Sequence, residues 1–238
     1  MPSRPDITLF TFGPFFEAPD SSPFVVKTML LLKLAGLAYR EDRTGFTMAP
    51  KGLLPYIRDG RTTVADSGFI RLHIEKTYGF DFDAGLTAEQ KAMACAIERL
   101  CEDHLYWAML HLRWTGRANF RKGIARMFAM FPAPLRPVIR GVMRRRTLAK
   151  IKAQGMGRHT PAEIAALALR DLDALEALLG DKPYMMGSTP SGVDATAFAF
   201  VAALMTPQLS SPIVASAMAR RTLAAYVDRI AQRYFAKS

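Results

Sequence analysis

Two adjacent serines precede a proline at the start of an apolar run, at Ser21, Ser22 and Pro23. Serine followed by proline commonly begins a helix, because the hydroxyl accepts a hydrogen bond from a free backbone N–H and proline fits the first turn. The same hydroxyl can instead turn away from the helix and point at a ligand. The spacing therefore predicts a helix that begins here, and it leaves both roles open for the hydroxyl groups.

A second candidate site lies at Asp66 and Ser67, where another helix is predicted to begin. The free N–H groups and partial positive charge of a helix N-terminus attract an anionic group. A plain N-cap is the alternative. Ser191 and Asp194 have the spacing of a capping box, in which reciprocal hydrogen bonds satisfy the first backbone N–H groups of a helix. We assign these two residues to structure only.

Three aromatic and imidazole side chains recur at helical spacing, since Trp107, His111 and Trp114 stand at positions i, i+4 and i+7. This spacing places them on one helix face. Such a face forms either part of the core or the wall of an apolar binding site. Cys101 and His104 share the same periodicity with His111, but without a fourth ligand or a known spacing they predict no metal site.

The two cysteines, Cys95 and Cys101, lie six positions apart in a helical pattern. Six residues of helix turn through about 240°, so the thiols face apart and no disulfide is expected. The start of the chain is too polar for a secretory signal, and no apolar run reaches the length of a membrane span, Ala195–Met205 being among the longest. A reduced, cytoplasmic setting is therefore expected.

The chain has 238 residues, 50% of them hydrophobic, which excludes disorder and allows one large domain or two small ones. Its net charge of +11 comes from one region, because no Asp or Glu occurs between His104 and Ala162. That region holds 13 of the 32 basic residues, and the other 19 face 21 acids. The basic region either attracts an anionic substrate, membrane or nucleic acid, or is a solvated helix surface.

The first eighty residues alternate between strand and helix patterns. A strand "ITLFTFG" precedes the helix "PFVVKTMLLLKLAGL", and "AYRED" is a candidate second strand. The turn residues Asp59 and Gly60 join two short strands, after which "SGFIRLHIEKTYG" is predicted as a helix. The order β-α-β-(α)-β-β-α indicates a small mixed α/β domain.

Helical periodicity dominates after the linker "FDFDAGLTAEQ". We expect two domains, at residues 1–79 and 87–238. Thr87 and Gln90 form a capping-box pattern, and Thr160 is the expected N-cap of "PAEIAALALRDLDALEALL". The segment "TPSGVDATAFAFVAALMTP" is apolar nearly all round and is therefore expected at the centre of its bundle. The basic stretch "RWTGRANFRKGIARMFAMFPAPLRPVIRGVMRRRT", called the excursion below, is an extended helical segment that either caps a cleft or mediates contacts.

The chain resembles cytosolic glutathione transferases over nearly its whole length, and four segments carry the resemblance. "SSPFVVK" is similar to the start of that family's first helix, "PKGLLPYI" to its cis-proline loop, "ADSGFI" to its acidic-serine motif and "PSGVDATAF" to its capping box. Within the superfamily, "GRHTPAEI" and "LGDKPYMMG" resemble the failed-axon-connections and metaxin-like branch. The resemblance implies a thioredoxin-like N-terminal domain, an all-helical C-terminal domain and a homodimer.

Such a fold would bind glutathione and activate its thiol. A free thiol has a pKa of about 8.5, and a hydrogen-bond donor at a helix N-terminus lowers that pKa. Ser22 is the expected thiolate-stabilising residue, with Ser21 as the near alternative. The resemblance further implies a cis Leu54–Pro55 bond that opens the backbone of Leu54 to the cysteinyl group, although an ordinary loop proline is the alternative.

The remaining implied contacts surround these residues. Asp66 and Ser67 would bind the γ-glutamyl end of glutathione, and Lys51, with Arg71 more weakly, its glycyl carboxylate. The side chains of the central helix that would line the site of a small hydrophobic electrophile are Trp107, His111 and Trp114. A protein of this kind conjugates glutathione to an apolar electrophile, a detoxification reaction.

A different class of function fits the same resemblance. A metaxin-like protein with this fold can act as a non-enzymatic interaction module, and its basic stretch would then contact a membrane or a partner. Nucleic-acid binding has only the charge in its favour, since no known nucleic-acid-binding module is present. We therefore expect no nucleic acid as a partner.

Overall fold

The computed structural model describes residues 6–236. A mixed sheet near the start of the chain contains β1 (Ile7–Phe10), β2 (Tyr39–Asp42), β3 (Tyr56–Asp59) and β4 (Thr62–Ala65). The strand order is β2-β1-β3-β4, with β1 parallel to β2 and antiparallel to β3, which forms a hairpin with β4. The predicted order of elements along the chain and the predicted hairpin are confirmed.

Ten α-helices occur within the described residues. They are α1 (Pro23–Leu34), α2 (Ser67–Tyr78), α3 (Ala88–Arg99), α4 (Tyr106–Trp114), α5 (Arg117–Lys122), α6 (Arg136–Gln154), α7 (Pro161–Leu179), α8 (Gly192–Leu204), α9 (Pro212–Ala219) and α10 (Arg221–Tyr234). Short 3-10 helices at Gly45–Met48, Ile124–Met130, Ala133–Leu135 and Met156–Arg158 connect some of them. The predicted class, an α/β unit followed by a helical unit, is confirmed, while its division at residues 79 and 87 stays a prediction.

The two parts of the chain meet along α1. This helix packs against α2 on one side and against α8 on the other, so that Leu31 and Leu32 are fully buried. Almost every residue of α8 is buried as well, which confirms its predicted central position. Because α1 is held on several sides, its first turn, which follows Ser22, has a fixed place beside the helical part.

The predicted helix caps are present. The hydroxyl of Thr87 accepts a hydrogen bond from the Gln90 N–H, and the Gln90 amide oxygen accepts one from the Thr87 N–H. Thr160 caps α7 in the same reciprocal way. The carboxylate of Asp194 accepts hydrogen bonds from the N–H of Ser191 and the hydroxyl of Tyr226, and burial raises its pKa. It therefore joins the start of α8 to α10.

A π-helical segment, Leu100–Leu105, joins α3 to α4 where the sequence predicts a continuous α-helical pattern. Glu102 in this segment accepts a 2.6 Å hydrogen bond from the ammonium of Lys27, which is 1% exposed on α1. The ion pair connects the two parts of the chain behind the first turns of α1. Cys95 is exposed and Cys101 is buried, and neither forms a disulfide, as predicted.

No helix within residues 6–236 is both long enough and apolar enough to cross a membrane. A second, smaller hydrophobic cluster lies apart from the main core and contains Phe15, Phe120, Ile124 and Phe128. It anchors α5 and the 3-10 helix that follows to the loop after β1. The basic excursion is therefore a packed part of the fold.

Candidate functional site

A cleft of about 1380 Å³ lies where the two parts of the chain meet. One wall contains Ser21, Ser22 and Leu54 from the α/β part, and the opposite wall is formed by α3, the π-helical segment and α4. The excursion covers one end with apolar side chains from its 3-10 helix, from the residue after that helix and from α6, namely Ile124, Met127, Phe128, Phe131, Ile139 and Met143. Of the two roles left open for the excursion, closing the cleft is the one observed.

Ser22 is the N-cap residue of α1, but its hydroxyl makes no capping hydrogen bond. Only its backbone takes part in the helix start, because its C=O accepts hydrogen bonds from the N–H groups of Val25 and Val26. The half-buried side chain lines the cleft at the positive end of the helix. The hydroxyl is thus placed to donate a hydrogen bond to a ligand in the cleft.

Arg113 fixes Ser21, the residue that precedes Ser22. This guanidinium, 4% exposed, donates hydrogen bonds to the C=O of Ser21 at 2.8 Å and to the C=O of Ala203 at 2.7 Å. No Asp or Glu pairs with it within residues 6–236, where its Nε has no hydrogen-bond partner, and burial lowers its pKa to about 10. A buried cation without a counter-ion therefore lies at the cleft wall, next to the serine pair.

Asp20 holds the loop that carries the serines. Its carboxylate accepts hydrogen bonds from the N–H groups of Phe12, Gly13 and Ser22, at 2.8, 2.7 and 2.8 Å. The side chain is buried, and burial raises its pKa to about 7, with the nearby Glu41 adding to the effect. Sequence reasoning missed both Asp20 and Arg113, because their partners are backbone groups that no residue pattern identifies.

The bond between Leu54 and Pro55 is cis, as predicted. Leu54 lines the cleft, and within residues 6–236 no hydrogen bond engages its backbone N–H or C=O. The C=O of Pro55 accepts a hydrogen bond from the N–H of Asp66 at 3.1 Å. This bond brings the cis-proline loop and the start of α2 together at one end of the cleft.

Of the two alternatives at the start of α2, the N-cap is present, while binding of an anionic group there stays a prediction. The carboxylate of Asp66 caps the helix by accepting a hydrogen bond from the N–H of Gly68 at 2.9 Å, and Asp66 also lines the cleft. Ser67 is buried, and it is not among the residues that line the cleft. Lys51 is exposed outside the lining, with its ammonium 4.1 Å from the centre of the Phe69 ring.

Arg71 does not serve as a free carboxylate-binding residue, contrary to the weaker of the sequence expectations. Its guanidinium donates hydrogen bonds to three carboxylates, those of Glu75, Asp83 and Glu98, at 3.0, 2.6 and 2.9 Å. These acids come from α2, the linker and α3, so the sequence pattern did not reveal them as partners. The network ties the two parts of the chain together along the cleft floor.

The aromatic face of α4 is only partly the one predicted. Trp107, Leu110 and Trp114 line the cleft together with Arg113, while His111 lies outside the lining and burial lowers its pKa. A helix turns about 100° per residue, so His111 is displaced by roughly 60° from Trp114 and 100° from Leu110. The face that meets the cleft therefore carries two indoles and one guanidinium instead of two indoles and an imidazole.

Family models match both parts of the chain. The model described as glutathione S-transferase N-terminal domain matches residues 23–119, and the one described as glutathione S-transferase C-terminal domain matches residues 168–230. The chain is 32% identical over 240 residues to isoprene-epoxide–glutathione S-transferase of Rhodococcus sp. (strain AD45), covering 96% of this chain and 99% of that protein.

Other relatives lie in the predicted branch. The chain is 30% identical to Failed axon connections of Drosophila melanogaster, covering 83% of this chain and 50% of that protein. It is 31% identical to metaxin-2 of Mus musculus, covering 79% of this chain and 72% of that protein. The resemblance to the failed-axon-connections and metaxin-like branch is thereby confirmed.

Solved structures share the fold at low sequence identity. A beta-etherase from Sphingobium sp. strain SYK-6 superposes with a TM-score of 0.69 at 17% identity, covering 98% of this chain and 99% of that one. A glutathione S-transferase of Ceriporiopsis subvermispora, solved in complex with glutathione, superposes with a TM-score of 0.65 at 17% identity over the same shares. The predicted architecture is confirmed.

Proposed function

This chain belongs to the glutathione S-transferase family, and we propose that it binds glutathione in the cleft and transfers the glutathione thiolate to a small apolar electrophile. The observation that carries the proposal is the hydroxyl of Ser22, which lines the cleft at a helix N-terminus and takes no part in capping that helix. Glutathione is the co-substrate, and Ser22 donates a hydrogen bond to its sulfur.

Three features of the wall around Ser22 favour a thiolate over a thiol. The hydroxyl supplies a donor, the N-terminus of α1 supplies a partial positive charge, and Arg113 supplies a full one without an acidic partner. A free thiol has a pKa of about 8.5, so most of it is protonated at neutral pH. Stabilising the anion raises the fraction of glutathione that is ready to react.

The rest of glutathione extends toward α2 in this proposal. The backbone of Leu54, which has no partner within the described residues, pairs with the cysteinyl group. Asp66 binds the ammonium of the γ-glutamyl group, and the start of α2 with Ser67 binds its carboxylate. Lys51 reaches the glycyl carboxylate by leaving the ring of Phe69.

The electrophile occupies the apolar end of the cleft. Trp107 and Trp114 form one wall, and Phe128 and Met143 of the excursion cover them. An apolar site suits a small uncharged electrophile and holds its reactive carbon near the sulfur, where proximity supplies much of the rate. Because one relative is named for isoprene epoxide, an epoxide is a reasonable substrate class to assay first.

The test measures retention on immobilised glutathione and turnover of an epoxide and of an aromatic halide. We expect retention, turnover of at least one electrophile, and a loss of turnover of one or more orders of magnitude in Ser22→Ala. If the wild type is retained and Ser22→Ala turns over the electrophile as fast as the wild type, the role of the hydroxyl is refuted. Absence of both retention and turnover would refute the transferase.

A non-enzymatic interaction protein is the second candidate, and the likeness to metaxin-2 favours it. Two further observations point the same way, since Ser67 and Lys51 lie outside the cleft lining and Arg71 is fully engaged with acids. A scaffold needs neither a free Ser22 hydroxyl nor an open cleft. The assay above separates the two candidates, because a scaffold would neither be retained nor turn over substrate.

We also propose that two copies associate as a homodimer. Leu53, Phe69 and Leu72 expose more than half of their side-chain surface at the open edge of the cleft. A second copy over this edge would bury them and narrow the entrance. Light scattering after gel filtration tests this arrangement, and Phe69→Glu should shift the protein to a monomer.

Detoxification in the cytoplasm is the proposed setting, in keeping with the exposed free thiol of Cys95.

A further inference from the structure

The helix α6 presents three different faces. One face, with Ile139, Met143 and Thr147, lines the cleft. A second face lies about a quarter to a third of a turn further round and carries Arg140 and Arg144. The third is open to solvent, and only Ile151 is fully buried along the whole helix. A helix that closes a substrate cleft on one side is thus free to contact something else on the others.

The second face forms a small cavity with α5. The cavity, about 370 Å³ in volume, is lined by the four arginines Arg117, Arg121, Arg140 and Arg144 and by four apolar residues or glycine. Arg144 is fixed there by hydrogen bonds to the carbonyl groups of Trp114 and Thr115 at 3.0 and 2.9 Å. The other three arginine side chains are exposed.

These four charges have no acidic partners. None of the four forms a salt bridge within residues 6–236, and the sequence holds no Asp or Glu between His104 and Ala162. Bringing four like charges around one cavity is unfavourable unless an anion is also present. The guanidinium group pairs its N–H groups with the oxygen atoms of phosphate, so the cavity has the chemistry of a phosphate site.

The third face adds an apolar component. Leu135, Val138 and Val142 recur at i, i+3 and i+7, and they are 52%, 65% and 45% exposed. Arg145 and Arg146 are exposed beside them. An apolar stripe flanked by arginines is typical of a helix that lies in the interface of an anionic membrane. Neither a free phosphate compound nor a nucleic acid would require the exposed stripe.

We propose that the solvent-facing side of α6 docks this protein on a membrane that contains anionic phospholipid. Arg145 and Arg146, which flank the stripe, bind headgroup phosphates, and Leu135, Val138 and Val142 enter the boundary between headgroups and acyl chains. The cavity lies about half a turn of α6 away from the stripe and is not part of the docking surface. Because the opposite face of α6 lines the cleft, docking places the apolar end of the cleft next to the bilayer, where apolar electrophiles concentrate. The surface does not include Ser22, so a failure of the docking proposal and a failure of the proposed transferase activity can be told apart.

The experiment measures co-sedimentation of the full chain with vesicles of phosphatidylcholine alone and of phosphatidylcholine with phosphatidylglycerol. Two variants probe the two parts of the surface: Arg145→Glu with Arg146→Glu, and Val138→Ser with Val142→Ser. Arg61→Glu with Arg170→Glu is the matched control, because both side chains are exposed outside the surface and the change in net charge is the same. Thermal unfolding and turnover in the absence of vesicles check that each variant is folded.

The wild type and the control should bind the anionic vesicles and not the neutral ones. Since each basic residue near an anionic surface contributes about a fivefold factor in affinity, the double arginine variant should bind at least about 25-fold more weakly. At high salt, where the charge attraction is screened and the apolar contact remains, the serine variant should bind the anionic vesicles more weakly than the wild type. Equal binding of the control and the arginine variant would overturn the proposal. It would also be overturned by binding of inorganic phosphate or RNA without binding of vesicles.

Discussion

Replacing Arg113 by methionine separates the charge of this residue from its packing. Burial lowers the pKa of Arg113 to about 10, which corresponds to about 3 kcal/mol of destabilisation of the buried charge. Against this, hydrogen bonds from a charged group to the two buried carbonyl groups contribute about 1.5–3 kcal/mol each. Arg113→Met is therefore expected to lower the free energy of unfolding by only about 0–3 kcal/mol.

The effect on bound glutathione should be clearer than the effect on stability. An opposite charge within about 4–6 Å of an acid stabilises its anion and lowers its pKa by about 1–3 units. Solvent in an open cleft reduces the attraction, so we expect the thiol pKa to rise by about one unit in Arg113→Met. Turnover at neutral pH should fall about tenfold.

The assay is a titration of the ultraviolet absorbance of the thiolate in the complex with glutathione. Arg113→Lys keeps the charge and loses the paired donors, so its thiol pKa should lie nearer to the wild type than that of Arg113→Met. Arg170→Met, on the exposed side of α7, is the control for loss of a positive charge elsewhere. An unchanged thiol pKa in a folded Arg113→Met protein would refute the role of this charge.

Three further predictions concern separate parts of the fold. The pKa of Asp20 rises from 3.8 to about 7 on folding, so the folded state binds its proton more tightly and stability should fall as pH rises from about 4 to 7; in Asp20→Asn, denaturant unfolding at each pH should show a flatter dependence, and an identical slope would contradict this. Tyr226→Phe removes a buried hydrogen bond to Asp194 and should lower the free energy of unfolding by about 1–3 kcal/mol; a change within error in urea unfolding would contradict it. Trp107→Ala removes apolar surface from the cleft and should raise KM for an apolar electrophile about tenfold with little change in KM for glutathione; equal changes in both would count against the assigned wall.

Local sequence patterns predicted most of the fold. Asp59 and Gly60 indicated the hairpin of β3 and β4, and the pattern at Thr87 indicated the start of α3. Each depends on residues within a few positions of each other, where side-chain and backbone preferences act directly. The serines were likewise predictable as a helix start, but the direction of the Ser22 hydroxyl was not.

The parts that the sequence did not predict depend on distant residues. Arg113 reaches the carbonyl group of a residue 92 positions earlier, and a backbone acceptor has no identity in a sequence pattern. The π-helical segment meets Lys27, whose partner Glu102 is 75 positions away. His111 shows a different limit, because a helical repeat identifies a face but not the angle at which that face meets a cleft.

The most direct test of the proposed mechanism is the pKa of the glutathione thiol bound to the wild type, to Ser22→Ala and to Ser21→Ala. We predict that the wild type lowers this pKa by at least about one unit below its free value of about 8.5. Ser22→Ala should lose much of that lowering, and Ser21→Ala should keep it, because Ser21 contacts Arg113 through its backbone. A thiol pKa in Ser22→Ala equal to that of the wild type would contradict the central claim.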